Sequence, residues 1–202
     1  MKNKFSSFYA AIAFVFLTVA SISCEKNNEA DEKKGAAAAI ATWPATSKKV
    51  AEEMITKYGE PMGITPDMLV WNNNGVWKRT IVSRDTVLHN FPTPHPDLLE
   101  QFIDYNVPAD KYDDMAAYDG SVILERTKGE ISARCDKEGA NFLAINLAND
   151  VATGTKTTEQ ARVYYTQAIK TFMQSGQMDT YMQGFKFTVP TNGTKDPDTK
   201  TF

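Results

Sequence analysis

The chain has 202 residues, with 22 basic against 25 acidic side chains and a formal net charge of −3. That length can bury one sizeable core, and an acidic balance without a basic patch excludes nucleic acid as a partner. No phosphate-cradling glycine loop, HExxH, GxSxG or paired CxxC occurs, so the chain carries none of these catalytic signatures.

Lys2 and Lys4 make a basic start, Phe8 to Ala20 is apolar apart from Thr18, and Ala20, Ser21 and Ser23 are small residues preceding Cys24. This is the layout of a secretory signal peptide over residues 1–23, with an apolar run too short for a comfortable membrane span. The "SISC" stretch resembles the lipobox of bacterial lipoproteins, with Ser21 where that family usually has Leu. The resemblance implies cleavage before Cys24, acylation of its sulfur and amine, and a lipid-anchored protein of the cell envelope, periplasmic or surface-exposed. An ordinary cleaved signal followed by an unmodified cysteine is the alternative. Glu25 to Lys34 is charged, low in apolar content and cannot bury enough surface to fold, and with the Ala-rich stretch after it residues 24–45 are expected to be a flexible tether. This polar, acidic start is similar to those of surface lipoproteins in Bacteroides-like bacteria. Beyond residue 23 the chain holds 20 basic and 25 acidic residues, a net of −5, so lipid and not charge would hold it to the membrane. Cys135 is then the one other cysteine, which rules out an intramolecular disulfide and suits a small buried side chain.

A globular domain is expected over residues 46–190. "TSKKVAEEMITKYGEP" predicts a helix with Val50, Ala51, Met54, Ile55 and Tyr58 on one stripe, capped by Thr46 or Ser47 and ended by Gly59 and Pro61. "DMLVWNNNGVWKRTIVSRDTV" predicts a hairpin turning at "NNNG", with both tryptophans as core anchors. The prolines of "HNFPTPHPDLLEQF" predict a stiff loop, after which Asp97 would cap a helix carrying Leu98, Leu99, Phe102 and Ile103. A short helix is expected over Ala109 to Ala117. "SVILERTKGEISARC" reads as two strands turning at Lys128–Gly129, or as a helix interrupted by Gly129. Two helices follow, the first with Phe142, Leu143, Ile145, Leu147 and Val151, the second opened by a Thr157/Gln160 capping box. "GFKFTV" alternates and predicts a last strand, and residues 191–202 read as a polar, disordered tail. The sum is a single α+β domain of antiparallel strands packed with several helices. The helix, "YGEP" and Trp-bearing strand pair between Val50 and Val82 is similar to small BamE-like envelope lipoproteins.

Three constellations could carry chemistry. His89 and His95, the two histidines, stand close in sequence to Asp85 and Asp97, and these donors together could hold a divalent metal of the zinc type. Surface or capping histidines are the alternative. Arg79, Arg126 and Arg134 could grip an anion through paired hydrogen bonds, or lie on a solvated charged face with Glu125, Glu130, Asp136 and Glu138. Asn141, Asn146 and Asn149 share one predicted helix, where bridging a loop backbone is the simplest use for a buried amide. No other cofactor is indicated. The expectation for function is a lipid-anchored binding or structural module; its rival is a metal-dependent or acid–base envelope enzyme using His89 and His95.

Overall fold

Val50, Ala51 and Met54 lie on the buried side of helix α1 (Ala45–Tyr58) in the computed structural model, which describes residues 35–191 and 196–202. The expected cap is displaced. The helix starts one residue after Pro44, and Ser47 is inside it, donating its hydroxyl to the Arg84 carbonyl at 2.6 Å. Gly59 ends the helix with φ 79°, backbone that a Cβ would strain. The signal peptide, Cys24 and the first part of the tether lie outside the described residues. The rest of the expected tether is not free chain: residues 35–42 wind into helical turns, and Ala36, Ile40 and Trp43 are buried with α1.

Six strands form one antiparallel sheet: β1 (Gly63–Ile64), β2 (Met68–Asn74), β3 (Trp77–His89), β4 (His95–Asp104), β5 (Val122–Glu125) and β6 (Glu130–Cys135), in the order β1-β2-β3-β4-β6-β5. The β2–β3 turn falls at Gly75–Val76, and the β5–β6 turn ends at Gly129 with φ 62°, as the glycine chemistry predicts. Residues 95–104, expected to turn from a loop into a helix, are instead strand β4. Four adjacent apolar or aromatic positions fit a helix face, but β3 and β6 each offer β4 a ladder of backbone partners, and that pairing outweighs local preference.

Leu69, Val82, Leu99 and Cys135 lie in register across the sheet on one face, followed along β4 by Gln101 and Ile103. Helix α1 and helix α3 (Glu138–Ala152) cover this face and make two apolar clusters with it. A buried polar seam runs between them: Thr80 accepts from Asn74 and Gln101, Gln101 accepts from Asn141, and Gln101 donates to Glu138 at 3.0 Å. The opposite face carries Arg79, Glu100, Phe102 and Ser132 and is polar. Helices α2 (Tyr112–Tyr118) and α4 (Thr158–Ser175) pack outside α3, and the Thr157/Gln160 capping box is present at the start of α4.

The predicted last strand is absent. Phe185 and Phe187 pack as irregular chain on the core, where Trp77, Phe142 and Phe185 stand 4.6–5.0 Å apart as ring centroids. Asn146 supplies what a neighbouring strand would have given: it donates to the Tyr181 and Gly184 carbonyls, and its oxygen accepts the Lys186 N–H at 2.7 Å. In the tail, Asp198 lies against Arg126 as an exposed ion pair. No helix among the described residues is long and apolar enough to cross a membrane.

Candidate metal centre

His89 closes β3, His95 opens β4, and the two are direct partners across the hairpin. Strand alternation puts Asp97 on the same face as His95, so three donors from nine residues converge. One ligand atom from each lies within 4.8 Å of the others, and the two imidazole centroids are 5.0 Å apart. Asp97 is 6% exposed, with Oδ1 at 3.3 Å from His95 Nε2 and Oδ2 at 3.6 Å from His89 Nδ1. Donors held 2.0–2.1 Å from a tetrahedral zinc ion are themselves separated by roughly 3.4 Å.

The surroundings fix how each donor is presented. His95 Nδ1 lies 2.8 Å from the Thr93 carbonyl. A carbonyl only accepts, so Nδ1 carries hydrogen and Nε2 is left facing Asp97. His89 Nε2 lies 3.6 Å from Asp119 Oδ1, beyond hydrogen-bond reach, and Nδ1 lies 3.2 Å from the Ser121 hydroxyl and 3.6 Å from Asp97 Oδ2. Asp97 Oδ2 accepts the Ser121 hydroxyl, while Oδ1 is buried without a hydrogen bond, its contact with His95 being close but poorly aligned. The Thr93 carbonyl on the far nitrogen of His95 is the usual support of a metal-binding imidazole, and Asp119 stands near the far nitrogen of His89. A buried carboxylate oxygen with no donor is what a cation would complete.

Asp97, and after it Cys135, push the pKa of His95 up to about 11. A proton and a metal ion compete for the same nitrogen, so binding here releases a proton. Burial, the largest influence, raises the pKa of Asp119, against the Ser121 N–H and His89. Burial likewise pushes the Cys135 thiol up, and the sulfur falls outside the donor cluster. That environment suits an inert thiol and not a nucleophile.

Asp85, expected among the donors, is exposed and outside the cluster. It sits where β3 bulges against β4, four residues before His89, and Asp119 and Ser121 stand near the histidines in its place. The "YDGS" stretch does signal a turn, in which Asp119 Oδ1 accepts the Ser121 N–H at 2.8 Å, but nothing local ties it to a histidine thirty residues away. The three arginines stand beside different partners. Arg79 binds Glu130 at 2.7 Å and stacks on Phe102, Arg126 binds Asp198, and Arg134 pairs in register with Glu100 on the sheet's polar face. Glu138, expected on a charged surface, is a buried acceptor for Lys57, Tyr58, Trp77 and Gln101. Comparison with known protein families, curated proteins and solved structures gives no match for this chain.

Proposed function

We propose that the domain binds a divalent transition metal, zinc being the best fit, through His89 Nδ1, His95 Nε2 and Asp97 Oδ1. The observation that carries this reading is the buried Asp97 Oδ1, without a hydrogen bond, at zinc-ligand spacing from His95 Nε2, with the far nitrogen of that ring held on the Thr93 carbonyl. Two nitrogens and one carboxylate oxygen suit zinc, and three protein donors leave a coordination position for water or a ligand. Metal titration of the purified chain should give one equivalent of bound zinc, and cobalt in its place should show the visible absorption of a low-symmetry site. Asp97→Ala and His89→Ala are each expected to weaken binding more than about a hundredfold, and Asp119→Asn by about 10–100-fold through loss of ring orientation. Zinc binding that is absent, or unchanged in all three variants, would sink the reading.

The setting we propose is the cell envelope, with Cys24 lipidated and the membrane as the anchoring partner. The motivation is the basic, apolar and small-residue order before Cys24. Intact mass of membrane-extracted protein should show a chain beginning at Cys24 and carrying acyl groups. Cys24→Ser should move the protein to the soluble fraction, and continued membrane retention would refute the anchor.

A further inference from the structure

A cavity of about 280 Å³ lies between the proline-rich β3–β4 connection and helix α4. Pro94, Tyr165, Ile169, Phe172 and Met182 are the larger apolar side chains of its inner wall. Its lining also holds Thr93 and four titratable groups: His95, Cys135, Asp136 and Lys137. Each of the four is already answered. Lys137 is bound to Asp136, the Cys135 thiol donates to the same carboxylate at 3.5 Å, and His95 faces Asp97. No charge is left over for an ionic ligand, and breaking the His95–Asp97 contact to admit one would leave the buried Asp97 carboxylate short of its partner.

Size narrows the occupant. A dry apolar cavity of about 150 Å³ accepts benzene, so a space near twice that volume accepts two fused rings. The lining suits flat π-systems as well: Phe172 and Tyr165 offer ring contacts, while Met173 and Met182 offer adaptable sulfur contacts. Met182 and Tyr165 are buried at 2% and 3% exposure, whereas Met173 is 68% exposed and forms a movable rim. A rigid floor under a flexible rim allows entry without unfolding the core.

We infer that this cavity is a binding pocket for a small uncharged aromatic molecule of about two rings, held beside His95. The pocket goes beyond the metal reading and does not depend on it, because of the three proposed metal ligands only His95 lines it. The probe is 1-naphthol, titrated into the purified chain and followed by its own fluorescence, with 2-naphthoate as the charged counterpart. Saturable binding of 1-naphthol is expected, with 2-naphthoate at least about tenfold weaker. Ala140, 2% exposed and part of the lining, offers a way to fill the space: Ala140→Leu should weaken 1-naphthol at least about tenfold. Met173→Ala, at the exposed rim and so without cost to folding, should weaken it about threefold, and it decides the matter if Ala140→Leu does not fold. The titration is repeated in excess EDTA, where undiminished binding is expected; a chain that takes up no zinc in the metal titration but binds 1-naphthol refutes the metal reading and leaves the pocket standing. Non-saturable binding, equal affinity for both probes, or indifference to the rim and filling variants would overturn the pocket.

Discussion

Glu138→Ala is expected to lower the unfolding free energy by about 3–5 kcal/mol. The Glu138 side chain is 10% exposed and accepts from Lys57, from the Tyr58 hydroxyl, from Trp77 Nε1 at 2.8 Å and from Gln101 Nε2 at 3.0 Å. Lys57 is half exposed and can return to water. The other three donors sit at the meeting of α1, β3, β4 and α3, so removing the carboxylate strands them. Urea unfolding checks the magnitude, and a loss under about 1 kcal/mol would show that water replaces the carboxylate.

The same residue sets a pH dependence. Burial alone, the largest influence, would raise the pKa of Glu138, but its four donors together outweigh it and hold the group below the ordinary glutamate range. Glu130 has the same balance, with Arg79 and Lys78 outweighing burial. A carboxylate with a depressed folded pKa contributes stability that is complete above its unfolded pKa and lost as pH falls through the folded one. The protein should therefore lose stability below about pH 4.5, the unperturbed value for glutamate. Glu138→Gln should flatten that fall, and a melting-temperature profile as steep as that of the parent chain would count against the assignment.

Trp77→Ala is expected to cost about 3–5 kcal/mol. The indole is 1% exposed and lies 4.6 Å from Phe142 and 5.0 Å from Phe185 as ring centroids, so truncation leaves a cavity lined by rigid rings. It also removes one of the four donors to Glu138. Trp77→Phe should recover part of the loss, because the ring stack survives while the N–H does not. Combining Trp77→Ala with Glu138→Ala should cost less than the two losses added, since the residues touch. Strict additivity in chemical denaturation would show that the hydrogen bond contributes nothing.

Much of the fold could be read from residue pattern. The α1 stripe, the glycine turns at Gly75 and Gly129, and the Thr157 capping box are all local signals, and each element formed where its signal lay. The misreadings share a cause in long-range pairing. Leu98, Leu99, Phe102 and Ile103 carry a helical spacing that two neighbouring strands override, and Phe185 and Phe187 alternate like a strand but meet the side chain of Asn146 in place of a sheet edge. The first error also hid the geometry of the candidate site, though not its donors. With Asp97 taken as a helix cap, its shared strand face with His95 cannot be seen; on β4 the two are alternate residues and converge. Asp119 and Ser121 could not be found at all, because topology and not spacing brings them to His89.

The buried seam of Thr80, Gln101 and Asn141 solves an alignment problem that grease alone would leave open. Sliding β4 by two positions along β3 would keep Leu99 and Ile103 on the helix-covered side, so an apolar pattern of period two tolerates the slip. The amide of Gln101 does not tolerate it. It would meet Lys78 or Val82 in place of Thr80, and it would lose Asn141 with no water to compensate. An all-aliphatic replacement of these three residues would thus be a sheet that folds in several frames, whereas this one has a single frame.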